Sequence, residues 1–276
     1  MKRMLLVLLV IALCIPCGAL AEKTMKIVNC QDWVSLRSAP NTQAERLAQV
    51  PLGALVTGEY DYDSDFSHCS YGGVSGYILN EYLEAPALAE QVDGLTILAE
   101  RSYSSSGEVM ELACLDANGS ELWKRVFQSP YSTELDCTDA FMAGTAAEPM
   151  VLVHVSGVGL TALDLYTGQE KWTLGEDVVS LGGSLSCAVG EDGTMYLGGY
   201  YGPDPVAISV DGEVLWQSSS VYGEQDGYPM EFWWLYALEL GPDGLTATYD
   251  MSADERGGQV LYSLDGQMLS YCFTAD

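Results

Sequence analysis

The chemistry this chain could do is narrowed first by what it carries in twos. His68 and His154 are its only imidazoles, so multi-histidine metal sites are excluded and a histidine-dependent triad has two candidate bases. His154 sits in the apolar run Val151-Leu152-Val153-His154-Val155 and is read as a satisfied core residue. Cys137 lies between Asp136 and Asp139, a negative setting that disfavours the thiolate a nucleophile needs. Carboxylates pair at Glu191-Asp192 and Asp254-Glu255, and glycoside hydrolysis needs two at a fixed separation, but a chain with 39 Asp+Glu places such pairs by chance. Gly-x-Ser-x-Gly, the zinc-hydrolase motif and the P-loop are all missing from the sequence. Gly182-Gly183, Gly198-Gly199 and Gly257-Gly258 read as turns between strands, not as phosphate cradles. Asp61-x-Asp63-x-Asp65 has the spacing of a calcium loop, yet Phe66 occupies the glycine position and no glutamate closes it. The expectation is therefore a protein with no catalytic residues, no metal and no cofactor.

Binding chemistry is better represented. Tyr60, Tyr62, Phe66, Tyr71 and Tyr77, interleaved with Asp61, Asp63 and Asp65, could wall an acidic groove. Ring faces give apolar contact and attract cations, and carboxylates pair with ammonium groups, so the ligand would be an amine-bearing peptide. The alternative is that Phe66 and Tyr77 fill a small core and the aspartates form a solvated loop. The segments 196–203 and 228–236 could form a sugar- or peptide-binding face, with Tyr200, Tyr201 and Trp233 exposed on it. Alternation in the second segment puts Phe232, Trp234 and Tyr236 on one side of a strand and Trp233 and Leu235 on the other, with Trp234 packed between repeats.

These residues are carried almost wholly by period-two patterns and short apolar runs punctuated by Gly, Asp and Asn, with no amphipathic helix. The fold class expected is all-β. The 276 residues are 48% hydrophobic, which suits one or two packed domains. Against 39 Asp+Glu stand 11 Lys+Arg, a net charge of −28 that repels phosphate backbones and excludes nucleic-acid binding.

Lys2 and Arg3 precede an uncharged run from Met4 to Ala21 that ends on Ala19-Leu20-Ala21, the order of a secretory signal peptide with cleavage before Glu22. Pro16, Gly18 and the small residues favour removal over an uncleaved membrane anchor, the only membrane contact expected. Removal takes the two basic residues with it, and the net charge becomes −30. Six cysteines remain, at 30, 69, 114, 137, 187 and 272, without metal-ligand spacing. They are read either as buried free thiols or as containing a Cys30–Cys69 bridge, both residues falling on strands of one small domain.

The organisation expected is a signal peptide at 1–21, a first domain at 25–84, a linker at 85–91 and a second domain at 92–276. In the first, Val34-Ser35-Leu36-Arg37-Ser38 with Pro40, the step Val50-Pro51-Leu52-Gly53, Tyr71-Gly72-Gly73, Gly76-Tyr77-Ile78 and Tyr82-Leu83 resemble the bacterial Src-homology-3-like domain. The pattern departs at Phe66, where tryptophan is frequent, and at Cys69, where an aliphatic residue is usual. The resemblance implies a wall-targeting module that holds peptidoglycan stem or bridge peptides.

The second domain repeats. Asp116, Gly119 and Trp123 are echoed by Asp164, Gly168 and Trp172, by Asp211, Gly212 and Trp216, and by Asp265 and Gly266, where Ser270 replaces the tryptophan. The glycines are 49, 44 and 54 residues apart, the range of a propeller blade. Each Asp and Gly is expected to make a tight turn, and each Trp to bury area against the neighbouring repeat. Ala162 to Trp172 matches the quinoprotein-like β-propeller signature Ala-x-Asp-x-x-Thr-Gly-x-x-x-Trp at every fixed position. The resemblance implies about four repeats, arranged as a small ring, an open arc or half of a larger ring completed by a dimer. The function expected is non-catalytic binding in the bacterial cell envelope, outside the cytoplasm, with a cell-wall peptide or an envelope protein as partner. The alternatives are a scaffold or sensor ectodomain that holds a protein through the propeller, and a wall-glycan hydrolase or quinone-dependent enzyme.

Overall fold

The computed structural model describes residues 23–61, 64–84, 86, 88–104, 107–130, 138–200, 205–218, 222–225, 228–232, 234–251 and 256–274. The signal segment and the binding candidates Tyr62, Tyr201 and Trp233 lie outside that set. The chain is all-β and divides into two compact units at Ala85/Pro86.

The first unit is one antiparallel sheet of seven strands: β1 (Lys23–Ile27), β2 (Trp33–Arg37), β3 (Arg46–Pro51), β4 (Leu55–Glu59), β5 (Phe66–Tyr71), β6 (Val74–Leu79) and β7 (Leu83–Glu84), in the order β3-β2-β6-β5-β4-β1-β7. A single 3₁₀ turn, Asn80–Tyr82, joins β6 to β7. Alternation sends one face of each strand inward, and Met25, Ile27, Val34, Leu36, Val50, Val56, Cys69 and Ile78 make the core. Of the two readings of the cysteines, Cys30 and Cys69 follow the first and are free thiols. Cys69 points into the core from mid-β5 and Cys30 flanks the same core from the bend after β1, each used as a small apolar group.

The second unit contains four four-stranded antiparallel sheets, each a meander with its strands in chain order, as in propeller blades. The first blade is β8 (Leu88–Val92), β9 (Leu95–Ser104), β10 (Gly107–Leu115) and β11 (Glu121–Gln128). The second is β12 (Thr138–Gly144), β13 (Pro149–Val155), β14 (Gly159–Asp164) and β15 (Glu170–Gly175). The third is β16 (Gly183–Val189), β17 (Met195–Tyr200), β18 (Val206–Ile208) and β19 (Val214–Gln217). A hairpin, β20 (Tyr222–Gln225) and β21 (Tyr228–Glu231), precedes the fourth blade: β22 (Leu235–Gly241), β23 (Gly244–Met251), β24 (Arg256–Tyr262) and β25 (Met268–Thr274). Residues 88–91, expected in the linker, are the opening strand of the first blade.

The blades meet face to face in chain order. Ile97, Met110 and Leu112 of the first pack on Val151, Val153 and Leu163 of the second. The opposite face of the second, with Met150, Leu152 and Leu160, packs on Met195, Leu197 and Val206 of the third. Tyr196 and Ala207 of the third pack on Leu245, Ala247 and Val260 of the fourth.

At each seam the repeated tryptophan acts as a latch. The Trp123 indole N–H donates to the Leu165 carbonyl, Trp172 to Val210 and Trp216 to Leu264, each at 2.9 Å, always in the turn of the following blade. Those turns hold Gly168, Gly212 and Gly266 at φ of +63°, +84° and +86°. A Cβ on any of them would stand 2.6–2.7 Å from Cδ2 of the arriving indole, so glycine is needed there for contact as well as for backbone conformation. The expected burial of each tryptophan against its neighbour is thus given a specific partner.

Two local expectations are corrected. In the first two turns Asp116 and Asp164 receive backbone N–H groups, Asp116 from Asn118 and Ser120 and Asp164 from Thr167. In the third and fourth turns that place belongs to Ser209 and Ser263, whose hydroxyls accept from the N–H groups of Glu213 and Gln267. Asp211 and Asp265 sit one residue before the glycine and are not the counterparts of Asp116 and Asp164. The second correction lies in the aromatic segment: Trp234 has φ +55°, which breaks the alternation. Phe232 and Leu235 are therefore both buried, and Tyr236 is exposed.

Candidate functional site

The first unit carries a groove of about 590 Å³, built where β2, the bend after β1 and the 3₁₀ turn come together. Trp33, Phe66 and Tyr82 supply aromatic surface; Arg37 and Glu81 supply one charge of each sign. Trp33 is 41% exposed although it opens a strand, because it is the outward member of β2's alternation. The Arg46 guanidinium lies 5.0 Å from the centre of its ring, covering one face by cation–π contact. Arg37 is steadied by donating from Nη1 to the Ala44 carbonyl at 2.9 Å. The hydrogen bond from the Tyr82 hydroxyl to the Glu81 carboxylate pushes the phenol up from its ordinary value, so that acid and ring are held as a pair.

Of the residues expected in this groove, Phe66 lines it. Tyr60 and Tyr71 flank the core. Tyr77 lies opposite His68 in the β5–β6 register and meets its ring edge-on at 5.2 Å. Asp61 and Asp65 are exposed and do not line the groove. Their loop is fastened by the Asn80 side-chain amide, which donates to the carbonyls of Asp61 and Ser64 at 2.8 Å. The groove is therefore charge-paired, not acidic as expected. Trp33, Arg37, Glu81 and Tyr82 were missed as site residues because they belong to elements distant in sequence. The one available signal was Trp33 itself, a large aromatic at the outward position of an otherwise regular strand.

In the second unit, Tyr200 is partly buried and stacks on Trp234, ring centres 5.2 Å apart and planes at 17°. The stack places Tyr200 within the packing of the third and fourth blades. The notable polar feature is a buried cluster at the seams of the first three blades. Asp139, opening β12, accepts from the Arg101 guanidinium of β9 at 3.0 Å and from the Leu185 backbone N–H of β16 at 3.2 Å. Glu108 of β10 is fully buried, 3.6 Å from Arg101. His154 is fully buried with Nδ1 3.7 Å from Asp139 Oδ2, and neither ring nitrogen has a hydrogen-bond partner among the described residues. The expectation that His154 is core is met in burial, but it is not satisfied. With no surface exposed on His154, a substrate has no approach to it, and the cluster serves to fix three blades in register.

No protein-family model matches the chain, and no curated protein matches it. Among solved structures, a protein of unknown function from Bacteroides caccae is 13% identical, with 92% of this chain and 94% of that one covered at a TM-score of 0.41. BamB from Moraxella catarrhalis is 15% identical over 91% of this chain and 87% of its own, at a TM-score of 0.34. A europium-containing methanol dehydrogenase is 13% identical, over 90% of this chain and 53% of its own, at 0.39. At such TM-scores the likenesses carry no weight. The propeller-like character rests on the meander order, the three seams and the tryptophan latches.

Proposed function

We propose that this chain is a non-catalytic binding protein of the bacterial cell envelope, in which the first unit is a Src-homology-3-like module that contacts cell-wall peptide and the second unit is a propeller-like platform for a protein. The observation that carries this reading is the groove of the first unit. Its aromatic wall offers apolar contact and cation–π attraction, and Glu81 and Arg37 offer one partner each to an ammonium and a carboxylate. A short zwitterionic peptide has both groups, as the stem and bridge peptides of peptidoglycan do. The seven-strand antiparallel sheet and the Gly and Pro positions of residues 25–84 agree with the family resemblance. Export is supported by the order of residues 1–21. Among the described residues no helix is long and apolar enough to cross a membrane.

The test is co-sedimentation of the full-length protein with purified peptidoglycan. Retention that falls on Trp33→Ala, with unchanged thermal unfolding, supports the reading; equal retention of both proteins, or none of either, defeats it. A scaffold or sensor role for the second unit alone is the reading left standing in that case.

A further inference from the structure

The latch series is open at its first member. The turns of the second, third and fourth blades each receive an indole, but the equivalent turn of the first blade, Asp116–Gly119, receives none among the described residues. Gly119 has the same left-handed backbone, φ +78°, and no described atom lies within 4 Å of where its Cβ would be. Its N–H closes the same turn onto the Asp116 carbonyl that Gly212 and Gly266 close onto Ser209 and Ser263. Ala117, two residues before the glycine, corresponds to Val210 and Leu264, whose carbonyls accept the indole N–H groups. Among the described residues nothing donates to the Ala117 carbonyl.

The other end of the series is closed chemically. The tryptophan position of the fourth blade is Ser270, and the sheet face that carries it mixes the polar Thr246, Thr248 and Gln259 with Leu261 and Cys272. A polar outer face is what ends a repeat array. The outward face of the first blade is also largely polar, with Glu100, Glu111, Lys124 and Gln128, but beside its vacant turn it exposes two apolar side chains, Leu122 and Val126, at 53% and 59%. A second copy of this chain brings a serine, Ser270, and no tryptophan at the matching place, so it does not continue the series.

We propose that the Asp116–Gly119 turn with Leu122 and Val126 is a docking site for a separate partner polypeptide, which inserts a tryptophan from an extended segment with basic flanking residues. The three occupied turns define the tryptophan: its ring lies against the glycine and its N–H donates to the carbonyl two or three residues earlier. The basic flank follows from the chain itself. Arg125, two residues after Trp123, donates from Nε to the Gly168 carbonyl at 2.8 Å in the first latch. At the vacant turn, Asp116 and Glu121 add negative charge to a protein of net −28. This deepens the reading of the second unit as a protein platform and is independent of the groove in the first.

The probe is an octapeptide with the sequence of residues 121–128, Glu-Leu-Trp-Lys-Arg-Val-Phe-Gln, titrated into the full-length protein and followed by amide resonances. Shifts centred on Ala117, Asn118 and Gly119 are expected, and affinity should fall about tenfold or more when alanine replaces the peptide's tryptophan or when the protein carries Gly119→Asn. Asparagine tolerates the left-handed backbone while filling the space the indole needs. Leu122→Glu, an exposed change on the same face, gives the same loss if Gly119→Asn fails to fold. No binding, equal binding of the alanine peptide, or shifts confined to Trp33 and its groove overturns the proposal. So does a dimer in sedimentation velocity that Gly119→Asn dissolves, which assigns the turn to a second copy. Failure here leaves the wall-binding test untouched, and the reverse holds.

Discussion

Alanine at Gly212 should destabilise the second unit far more than alanine at Gly119, although the two glycines share a left-handed backbone and the same place in their turns. Both substitutions carry the left-handed penalty of about 1 kcal/mol. At Gly119 nothing else is met within 4 Å. At Gly212 the new Cβ would stand 2.7 Å from Cδ2 and 2.8 Å from Cγ of Trp172, and both atoms belong to a rigid ring packed in the seam. Shifting that ring adds about 1–3 kcal/mol of overpacking, and expelling it forfeits the bond to Val210 as well, about 1 kcal/mol. The expected losses are about 1 kcal/mol for Gly119→Ala and about 3 kcal/mol for Gly212→Ala. Equilibrium urea unfolding read by tryptophan fluorescence measures both, with the transitions of the two units fitted separately because a two-unit chain need not unfold in one step. A double variant, Gly212→Ala with Trp172→Ala, isolates the contact: with the ring gone the clash goes too, and the pair should cost about 2 kcal/mol less than the sum of the singles. If Gly119→Ala and Gly212→Ala cost the same within about 0.5 kcal/mol, the indole–glycine contact does not hold the seam and the latch argument fails.

The buried cluster predicts an asymmetry: His154→Leu should leave stability unchanged or raise it, because an apolar side chain replaces a fully buried imidazole with no hydrogen-bond partner among the described residues, whereas Asp139→Asn should cost about 2 kcal/mol because it removes the closer of the two carboxylates beside Arg101 and leaves Glu108; thermal unfolding compares them. Cys69 is buried and its thiol is pushed up to about 12 by desolvation, so it should resist a thiol reagent at pH 8 until the protein is unfolded, while exposed Cys272 reacts at once; mass spectrometry of labelled peptides reads both. Asp164 is held below its ordinary value by hydrogen bonds from Thr167, so its contribution is fully present at pH 5–7 and is lost as pH falls from about 4 through the lowered value. The urea midpoint should therefore drop between pH 5 and pH 2, and drop less in Asp164→Asn.

The parts of the molecule that were legible in the sequence are those set by local rules. Glycines at blade-like spacing with a tryptophan four residues on marked the turns and the latch donors, because a left-handed turn and a large apolar anchor each restrict residue type at one position. The turn acceptors were legible only in part. A side-chain oxygen three or four residues before the glycine is what the backbone N–H groups need, and serine serves as well as aspartate, so following Asp alone led to Asp211 and Asp265 instead of Ser209 and Ser263. The aromatic segment misled because one left-handed residue, Trp234, reverses the sidedness of everything after it, and tryptophan gives no sign of such a backbone. The groove was the least legible. Trp33 and Tyr82 are 49 positions apart and meet only because the sheet order brings β2 and the 3₁₀ turn to one end of the unit, whereas Tyr60, Tyr71 and Tyr77, grouped in sequence, point to different places. Asp139 and Arg101 likewise come together only across a blade seam.

The central claim, that the groove between Trp33 and Tyr82 holds a zwitterionic wall peptide, is tested most directly by titrating the full-length protein with a soluble stem peptide bearing a free amine and a free carboxylate. The indole resonance of Trp33 reports occupancy. A saturable shift of Trp33, with affinity reduced about tenfold or more by Trp33→Ala and by Glu81→Gln, is the result predicted. No saturable shift, or binding that both substitutions leave unchanged, contradicts it.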